Sequence, residues 1–365
     1  MCANLNSKFG IQLLAVIMAG GIGERFWPLS TPDRPKQLLP FGVDGKTLIE
    51  DAVDRIRPLT ATENIWIATS ETLKPLLNKL NLCPENQVLA EPSRRNTAGA
   101  LTFATSHILA KYGNDASNYV MAVFTADHRI SPVDKFLEAV KKIVEFVSNN
   151  PSLGVMGIVP TRPETGYGYI ESAEEIENGI KKVTKFHEKP TFEKAKEYVK
   201  KGNYFWNSGM FFWKLETFLN ELKLASPVHY ETIFKLKEAL MENNQDKIKE
   251  IFNSLPDISI DYALMERSPN IVMVKAEFFW DDLGSWTSLE RIFPADKNGN
   301  ILQGNCITEQ TSNTIIYNAE NERITVATLG VNNLVIAVAG NTVLVMDKEK
   351  AQNIKTLLSK YKNMG

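Results

Sequence analysis

From Ile11 to about Phe124, short apolar runs alternate with longer amphipathic stretches: Leu13–Met18, Leu48–Ile56, Ile65–Thr69, Leu73–Leu80, Ala98–Tyr112 and Tyr119–Phe124. Short apolar runs read as buried strands and longer amphipathic ones as helices. The order strand, helix, strand, helix implies a parallel sheet in an α/β domain. The runs give way to Gly, Pro, Ser or Asp, so loops gather at the carboxyl ends of the strands, where open α/β sheets bind ligands. The run Leu13–Ala19 is far shorter than the roughly 20 residues that span a bilayer, and a basic leader segment and cleavage site are missing. It reads as a strand, and no membrane partner is expected.

The middle third is mixed. Val155–Pro160, Tyr167–Ile170 and Ile180–Glu188 read as strands, and Phe192–Lys200, Leu215–Leu224 and Pro227–Leu240 as helices, which suits an α/β domain with an antiparallel insertion. After Trp286 the punctuation changes. Asn298-Gly299-Asn300, Gly304-Asn305, Gly330 and Gly340-Asn341 separate short β-prone runs, which read as a small β-helix-like tail closed by a helix from about Lys350 to Lys360. The expected organisation is therefore a Rossmann-like α/β domain with a mixed, mainly parallel sheet over residues 11–290, then a β-helix-like domain over 291–365.

Lys and Arg total 41 against 43 Asp and Glu, so the near-neutral balance favours neither nucleic acid nor an anionic membrane as partner, and any anion site must be local. The three cysteines, Cys2, Cys83 and Cys306, lie far apart without CxxC spacing, and there are four histidines. That excludes a zinc cluster or disulfide framework and fits the reducing cytoplasm.

The first strand runs into Ala19-Gly20-Gly21-Ile22-Gly23-Glu24-Arg25, where backbone amides can approach an anion closely. Phe26 stands where G-x-G-x-x-G needs its third glycine, and Pro40 stands where a P-loop ending in Gly45-Lys46-Thr47 needs its first. Both common nucleotide fingerprints fail. What distinguishes the loop is its pair of cations, Arg25 and then Lys36 in Pro35-Lys36-Gln37, which suit a polyphosphate. A tight structural turn with solvated basic residues is the alternative. Asp127 and Asp282 are hard carboxylates of the kind magnesium takes, although each can equally cap a turn or helix.

Gly20-Gly21-x-Gly23-x-Arg25 followed by Pro35-Lys36-Gln37 resembles the signature of nucleoside-diphosphate-sugar pyrophosphorylases. Glu91-Pro92-x-x-Arg95-Asn96-Thr97-Ala98, Asp127-His128, Arg162-Pro163-Glu164-Thr165-Gly166-Tyr167-Gly168-Tyr169-Ile170, Glu188-Lys189-Pro190 and Trp206-Asn207-Ser208-Gly209-Met210 resemble the mannose-1-phosphate guanylyltransferase branch. So do Ser259-Ile260-Asp261-Tyr262 and Trp280-Asp281-Asp282-Leu283-Gly284-Ser285-Trp286. The likeness runs in order from about residue 13 to 290 and is looser beyond Arg291.

The resemblance implies attack of the mannose 1-phosphate oxygen on the α-phosphorus of GTP, giving GDP-mannose and pyrophosphate with Mg2+ as cofactor. The nucleophile is already an anion, so the lack of a Ser-His-Asp arrangement does not count against an enzyme. The work falls to positioning, cations and metal. By resemblance Asp127 and Asp282 are the metal ligands, Asp282 rather than Asp281 because it stands two residues before Gly284. Arg25, Lys36 and Lys189 are the catalytic cations, with Lys189 meeting the sugar phosphate. Ala19, Gly20, Gly21, Gly23, Glu91, Arg95 and Asn96 hold the nucleotide, and Gly168, Glu188 and Asn207 hold the sugar. Trp206, Phe211 and Phe212 read as core.

Glu91 occupies the position where relatives using thymidine or uridine nucleotides carry a base-reading glutamine. A carboxylate only accepts, guanine offers N1–H and an exocyclic amine side by side, and uracil or thymine sets a carbonyl beside its single donor. An ionised Glu91 thus favours guanine, each charge-assisted hydrogen bond being worth about 1.5–3 kcal/mol. A residue binding backbone before Pro92 is the alternative. Arg94, Arg95 and Asn96 can reach the base or ribose, and Thr97 is expected to cap the helix beginning near Ala98. Arg162 and Glu164 either clamp substrate or pair with each other, and His128 reads as a packing neighbour of Asp127.

Two other readings stand beside this one: a pyrophosphorylase for another sugar or base, and a non-catalytic regulatory homologue that binds GDP-mannose. The second should have lost site residues, whereas Arg25, Lys36, Asp127, Lys189 and Asp282 are all present. A glycosyltransferase explains neither Lys36 nor the Gly20–Arg25 loop. Longer relatives add a phosphomannose isomerase domain, which this sequence is too short to carry, so a monofunctional protein is expected. The tail is expected to pack on the main domain or to form a symmetric contact in a homodimer.

Overall fold

The computed structural model describes residues 12–362. Cys2, Ile11 and residues 363–365, which enter the expectations above, lie outside the described residues. By its internal contacts the chain divides into two compact units. One comprises the residues up to Gly20, Val53–Ala126 and Ser131–Phe279; the other comprises Gly21–Ala52, Asp127–Ile130 and the residues from Trp280 on.

The first unit is built on β1 (Leu13–Met18), β2 (Ile65–Ser70), β3 (Val88–Glu91) and β4 (Val120–Thr125); a short β5 (Arg129–Ser131) lies outside its sheet. β6 (Leu153–Ile158), β7 (Tyr169–Glu177), β8 (Ile180–His187), β9 (Tyr204–Lys214) and β10 (Ile271–Lys275) complete a nine-stranded sheet in the order 3-2-1-4-9-6-10-8-7. β1 to β4 are mutually parallel, as are β6 and β10, while β9 runs against β4, β6 and β7, and β8 runs against β7 and β10. The sheet is thus mixed with mainly parallel strands, as the sequence leads one to expect.

Leu13 to Ile17 are all 0% exposed, as a strand covered on both faces requires. Alternate residues serve opposite faces. Leu14, Val16, Met121, Val123, Phe211 and Trp213 join one core cluster with the helices α3 (Asn96–Tyr112), α6 (Leu215–Ala225), α7 (Pro227–Met241) and α8 (Gln245–Asn253). On the other face Phe124 meets Phe212 and the Phe136 ring of α4 (Val133–Asn149). The remaining helices of the unit are α1 (Leu48–Ile56, which continues into the second unit), α2 (Lys74–Asn78) and α5 (Phe192–Lys201).

The sequence reading leaves β3, β9, β10 and α4 unassigned. β9 is the instructive case: it is eleven residues rich in aromatic side chains, with Trp206, Phe211 and Phe212 only 3, 3 and 0% exposed. A strand buried on both faces shows no alternation for periodicity to detect. One cap is also placed differently. Thr97 does not cap α3, since its hydroxyl accepts from the Ile260 N–H at 2.8 Å, and the Ala98 N–H donates to Ile258 O at 3.3 Å. The neighbouring segment takes the Ala98 N–H at the helix start, and the Asn96 side chain takes that of Thr97.

In the second unit, β12 (Ile301–Gln303), β14 (Ile315–Asn318) and β16 (Leu334–Ala339) stack in parallel, and β17 (Thr342–Asp347) closes them antiparallel. β13 (Cys306–Glu309) and β15 (Val326–Leu329) form a second parallel ladder, and β11 (Phe279–Asp281) pairs with β5. Ile301, Ile315 and Val335 fall in register in one buried column, the repeat of a β-helix. A short turn over Lys348–Asn353, capped by the Asp347 side chain, precedes α9 (Ile354–Lys362), so the closing helix begins later than Lys350. No helix among the described residues is long and apolar enough to cross a membrane.

Trp213 is fully buried and stacks on Phe218 with ring centroids 4.8 Å apart. Trp213→Ala is expected to cost about 3–5 kcal/mol, read as a lowered urea midpoint; an unchanged midpoint would remove this stack from the list of core supports.

Candidate active site

In the second unit the glycine-rich loop is tied to the segment carrying Lys36. The Lys36 N–H donates to Ile22 O at 3.0 Å, and the Ser30 hydroxyl donates to Gly23 O at 2.7 Å. Gly23 has φ 72°, and a Cβ on it would collide with the Lys36 Cβ, so only glycine lets the two stretches meet. Phe26 anchors the loop from below: it is 0% exposed, with its ring centroid 5.2 Å from that of Phe41 and 5.4 Å from that of Trp286. The Arg25 Nη1 donates to Gly284 O at 3.4 Å, while its buried Nε has no hydrogen-bond partner.

The Lys36 ammonium, on a residue 8% exposed, binds the Asp127 carboxylate at 2.8 Å and the main-chain carbonyl of Asp282. Burial works against the charge on Asp127, but Lys36 and His128 outweigh it and hold the carboxyl below its ordinary range. His128 is itself fixed by Trp280, whose indole N–H donates to Nδ1 at 3.1 Å, the packing role expected of it. The adjacent carboxylates Asp281 and Asp282 have different surroundings. Asp281 is 2% exposed, takes both arms of the Arg291 guanidinium and accepts the Leu283 N–H at 2.8 Å. The Asp282 carboxylate lies over Gly284, where a Cβ would sit 3.2 Å from its Oδ2. Leu283 between them is fully buried with φ 46°, a conformation that bulky residues hold only where surroundings enforce it.

A cation therefore already rests on oxygens contributed by Asp127 and Asp282, and the donor set consists of hard oxygens. Both facts fit Mg2+, which accepts one or two protein carboxylates and completes its octahedron with phosphates and water. Among the described residues no group of three or more His, Cys, Asp or Glu is placed to hold a metal.

In the first unit one cross-strand rung organises a second cluster. Tyr169 of β7 pairs with His187 of β8 and with Trp206 of β9. Because β7 is antiparallel to both, one step along each strand in the same direction reaches Gly168, Glu188 and Asn207. The Asn207 N–H donates to Gly168 O at 2.8 Å. A Cβ on Gly168 would lie 2.5 Å from Glu188 Oε2 and 3.6 Å from the Asn207 Cβ, so the absence of a side chain at 168 is what lets the Glu188 carboxylate lie against the backbone beside Asn207. His187 is held through both ring nitrogens, by Glu171 at 3.3 Å and Tyr198 at 3.2 Å, which fixes the strand just before Glu188. Lys189 has φ 46° and pairs with Glu188 at 2.8 Å; that hydrogen bond raises the ammonium above its usual range. Arg162 and Glu164 pair with each other at 3.2 Å, and the guanidinium lies over the Trp206 ring.

Also in the first unit, the exit from β1 is held by the Ala19 N–H on Ala68 O at 2.8 Å and by the Thr69 hydroxyl on Ala19 O at 3.0 Å. Glu91, the last residue of β3, lies beside Gly20, whose Cβ would be 3.8 Å from its Oε1. Burial pushes the Glu91 carboxyl up to about 8. Arg95 is engaged elsewhere: its Nη2 donates to Asn253 O at 2.6 Å, at the end of α8. Asn96 is exposed and turns its Oδ1 to the Thr97 N–H at 2.9 Å.

Asp261 has no assigned role in the sequence reading, although it lies within Ser259–Tyr262. Its Oδ1 accepts from Asn207 Nδ2 at 2.7 Å. The available signal was a lone carboxylate following an apolar residue inside a segment already singled out.

A family model described as Nucleotidyl transferase matches residues 14–299, and one described as MannoseP isomerase/GMP-like beta-helix domain matches 304–361. A mannose-1-phosphate guanylyltransferase of Salmonella muenchen is 38% identical over 364 residues, 96% of this chain and 74% of its own length. One of Escherichia coli (strain K12) is 36% identical over 363 residues, 97% of this chain and 74% of its own. The crystal structure of a Thermus thermophilus protein, named a mannose-1-phosphate geranyltransferase, superposes with a TM-score of 0.86 at 34% identity, covering 96% of this chain and all of that one. With a nucleotidyl transferase model and relatives that align with 96–97% of this chain agreeing over the same residues that carry the two clusters, this chain belongs to the mannose-1-phosphate guanylyltransferase family of nucleotidyl transferases.

Proposed function

We propose that the chain transfers GMP from GTP to alpha-D-mannose 1-phosphate, releasing GDP-mannose and pyrophosphate. The observation that carries this reading is the Lys36 ammonium bound to the Asp127 carboxylate and the Asp282 main-chain carbonyl beside the Gly23 turn, a buried cation and a carboxylate gathered on a glycine-rich loop. The names of the relatives agree with it.

In this reaction a sugar phosphate oxygen forms a bond to the α-phosphorus of GTP, and the bond from that phosphorus to the bridging oxygen of the pyrophosphate breaks. The attacking oxygen carries its own negative charge, so no residue need remove a proton. The obstacle is repulsion between polyanions, which fixed cations reduce most effectively when partly withdrawn from water. Arg25 and Lys36 serve the triphosphate and the departing pyrophosphate. Lys189, whose side chain is 62% exposed, receives the sugar phosphate. Gly168, Glu188 and Asn207 take the sugar hydroxyls, and Ala19, Gly20, Gly21 and Gly23 take the nucleotide; Arg95 and Asn96 join them only by leaving Asn253 and the Thr97 N–H. Asp127 and Asp282 would hold Mg2+, which supplies charge neutralisation on the phosphate oxygens. Lys36 meanwhile keeps Asp127 ionised and ready for a cation. Cys83 and Cys306 are free thiols, which fits the cytoplasm.

Glu91 reads guanine only as a carboxylate. With its carboxyl pushed up to about 8, the residue carries a proton at neutral pH until the base displaces it.

The deciding assay incubates the purified protein with Mg2+, mannose 1-phosphate and each nucleoside triphosphate in turn. GTP is expected to be preferred, and preference for UTP or dTTP would sink the reading. Asp282→Asn is expected to lower kcat at least about a hundredfold with an unchanged circular dichroism spectrum; a near-parental rate would remove Asp282 from the metal site. GTP affinity should rise with pH up to about 8 and then level, whereas Glu91→Gln should bind weakly and show no such rise. The folded carboxyl titrates above the unfolded one. Stability is therefore full below the unfolded value of 4.5 and lost as pH rises toward 8, so Glu91→Gln should gain melting temperature over the parent at pH 8 but not at pH 4.

A further inference from the structure

The Ser259–Tyr262 segment resembles the family motif but has no part in the chemistry described so far, and its Asp261 meets the Gly168, Glu188 and Asn207 cluster through the Asn207 amide. Asn207 is pinned at both ends of its amide. Oδ1 accepts the Gly209 N–H at 3.0 Å, and Nδ2 donates to Asp261 Oδ1 at 2.7 Å. An amide so held cannot turn over to exchange its oxygen and nitrogen. It has one N–H and one lone pair left. Asp261 is tied in turn to its own segment by a hydrogen bond from the Ser259 side chain. The Glu188 carboxylate, an acceptor, fills the space over Gly168, its Oε2 2.5 Å from where a Gly168 Cβ would be.

We propose that Asp261 is a positioning residue for the sugar: by locking the Asn207 amide in one orientation, it fixes a hydrogen-bond donor beside the Glu188 acceptor that lies on Gly168. The inference rests on the reading of Gly168, Glu188 and Asn207 as the sugar-binding cluster. Burial first, and the Glu188 charge next, hold the Asp261 carboxyl above the usual carboxylate range, so the lock is maintained in a setting that disfavours a second full charge beside Glu188. An unlocked Asn207 would present oxygen or nitrogen to the sugar indifferently, and the sugar would have to select the productive orientation when it binds.

The test is a double-mutant cycle on the full chain, reading KM for the sugar 1-phosphate and for GTP separately. Asp261→Ala should raise KM for mannose 1-phosphate about tenfold, the loss expected of one charge-assisted hydrogen bond, with KM for GTP unchanged. Asp261→Asn keeps an oxygen that can accept from Asn207 and should recover most of that loss. In an Asn207→Ala background, Asp261→Ala should add nothing further. Should the alanine variant fail to fold, Asp261→Ser, polar but too short to reach Asn207, supplies the same measurement. An unchanged KM for the sugar, an equal rise for GTP, or the same loss with and without Asn207 would overturn the proposal. If the parent rejects mannose 1-phosphate, the guanylyltransferase reading fails, and the cycle is run with the sugar 1-phosphate it does accept, which still decides the role of Asp261.

Discussion

The second unit depends on one buried ammonium. Lys36 is 8% exposed and gathers the Asp127 carboxylate and the Asp282 carbonyl, two groups that a chain would otherwise keep apart or solvate. An ammonium so placed without partners would be costly, and so would an isolated Asp127; each makes the other tolerable. The cost of separating them explains the supports around the pair: a glycine at 23 to let Lys36 approach, a left-handed leucine at 283, and Arg291 to occupy Asp281 so that it does not compete with its neighbour.

The first unit solves a different problem, bringing three sequence-distant polar residues to one place, and does so by register alone. The rung joining His187, Tyr169 and Trp206 is built from large, well-packed rings, and the next rung carries a glycine, a carboxylate and an amide. Bulk holds the frame, and the step beyond it carries the polar groups. A shift of one residue in either pairing would turn these groups to the opposite face.

Much of the fold was legible in the sequence. The bounds of β1 and α1, the helices beginning at Phe192, Leu215 and Pro227, and the coiled tail all follow from periodicity and turn residues. β9 was not legible because its residues are buried on both faces and show no alternation. The loop and Asp127 stood out because each breaks a local pattern, glycines in succession or a charge at the end of an apolar run, whereas Lys189 and Glu91 were marked only by the family resemblance. Asp261 did not stand out, since its importance lies in a partner 54 residues away and not in its own neighbours. Asp281 and Asp282 differ on the chain only in their distance from Gly284, and the structure adds a second difference, the Arg291 guanidinium on Asp281.

The aromatic core beneath the glycine-rich loop has a consequence for how this architecture can change over evolutionary time. Phe26 and Phe41, from the early part of the chain, pack on Trp286 and Tyr317, from its last quarter, and the Trp286 indole donates to Trp27 O at 3.1 Å. The coils are therefore foundation and not appendage. A lineage that shed them would expose the underside of the loop that carries Arg25 and Lys36, so the tail can be elaborated or redecorated on its outer strands but cannot be trimmed away while the loop keeps its shape.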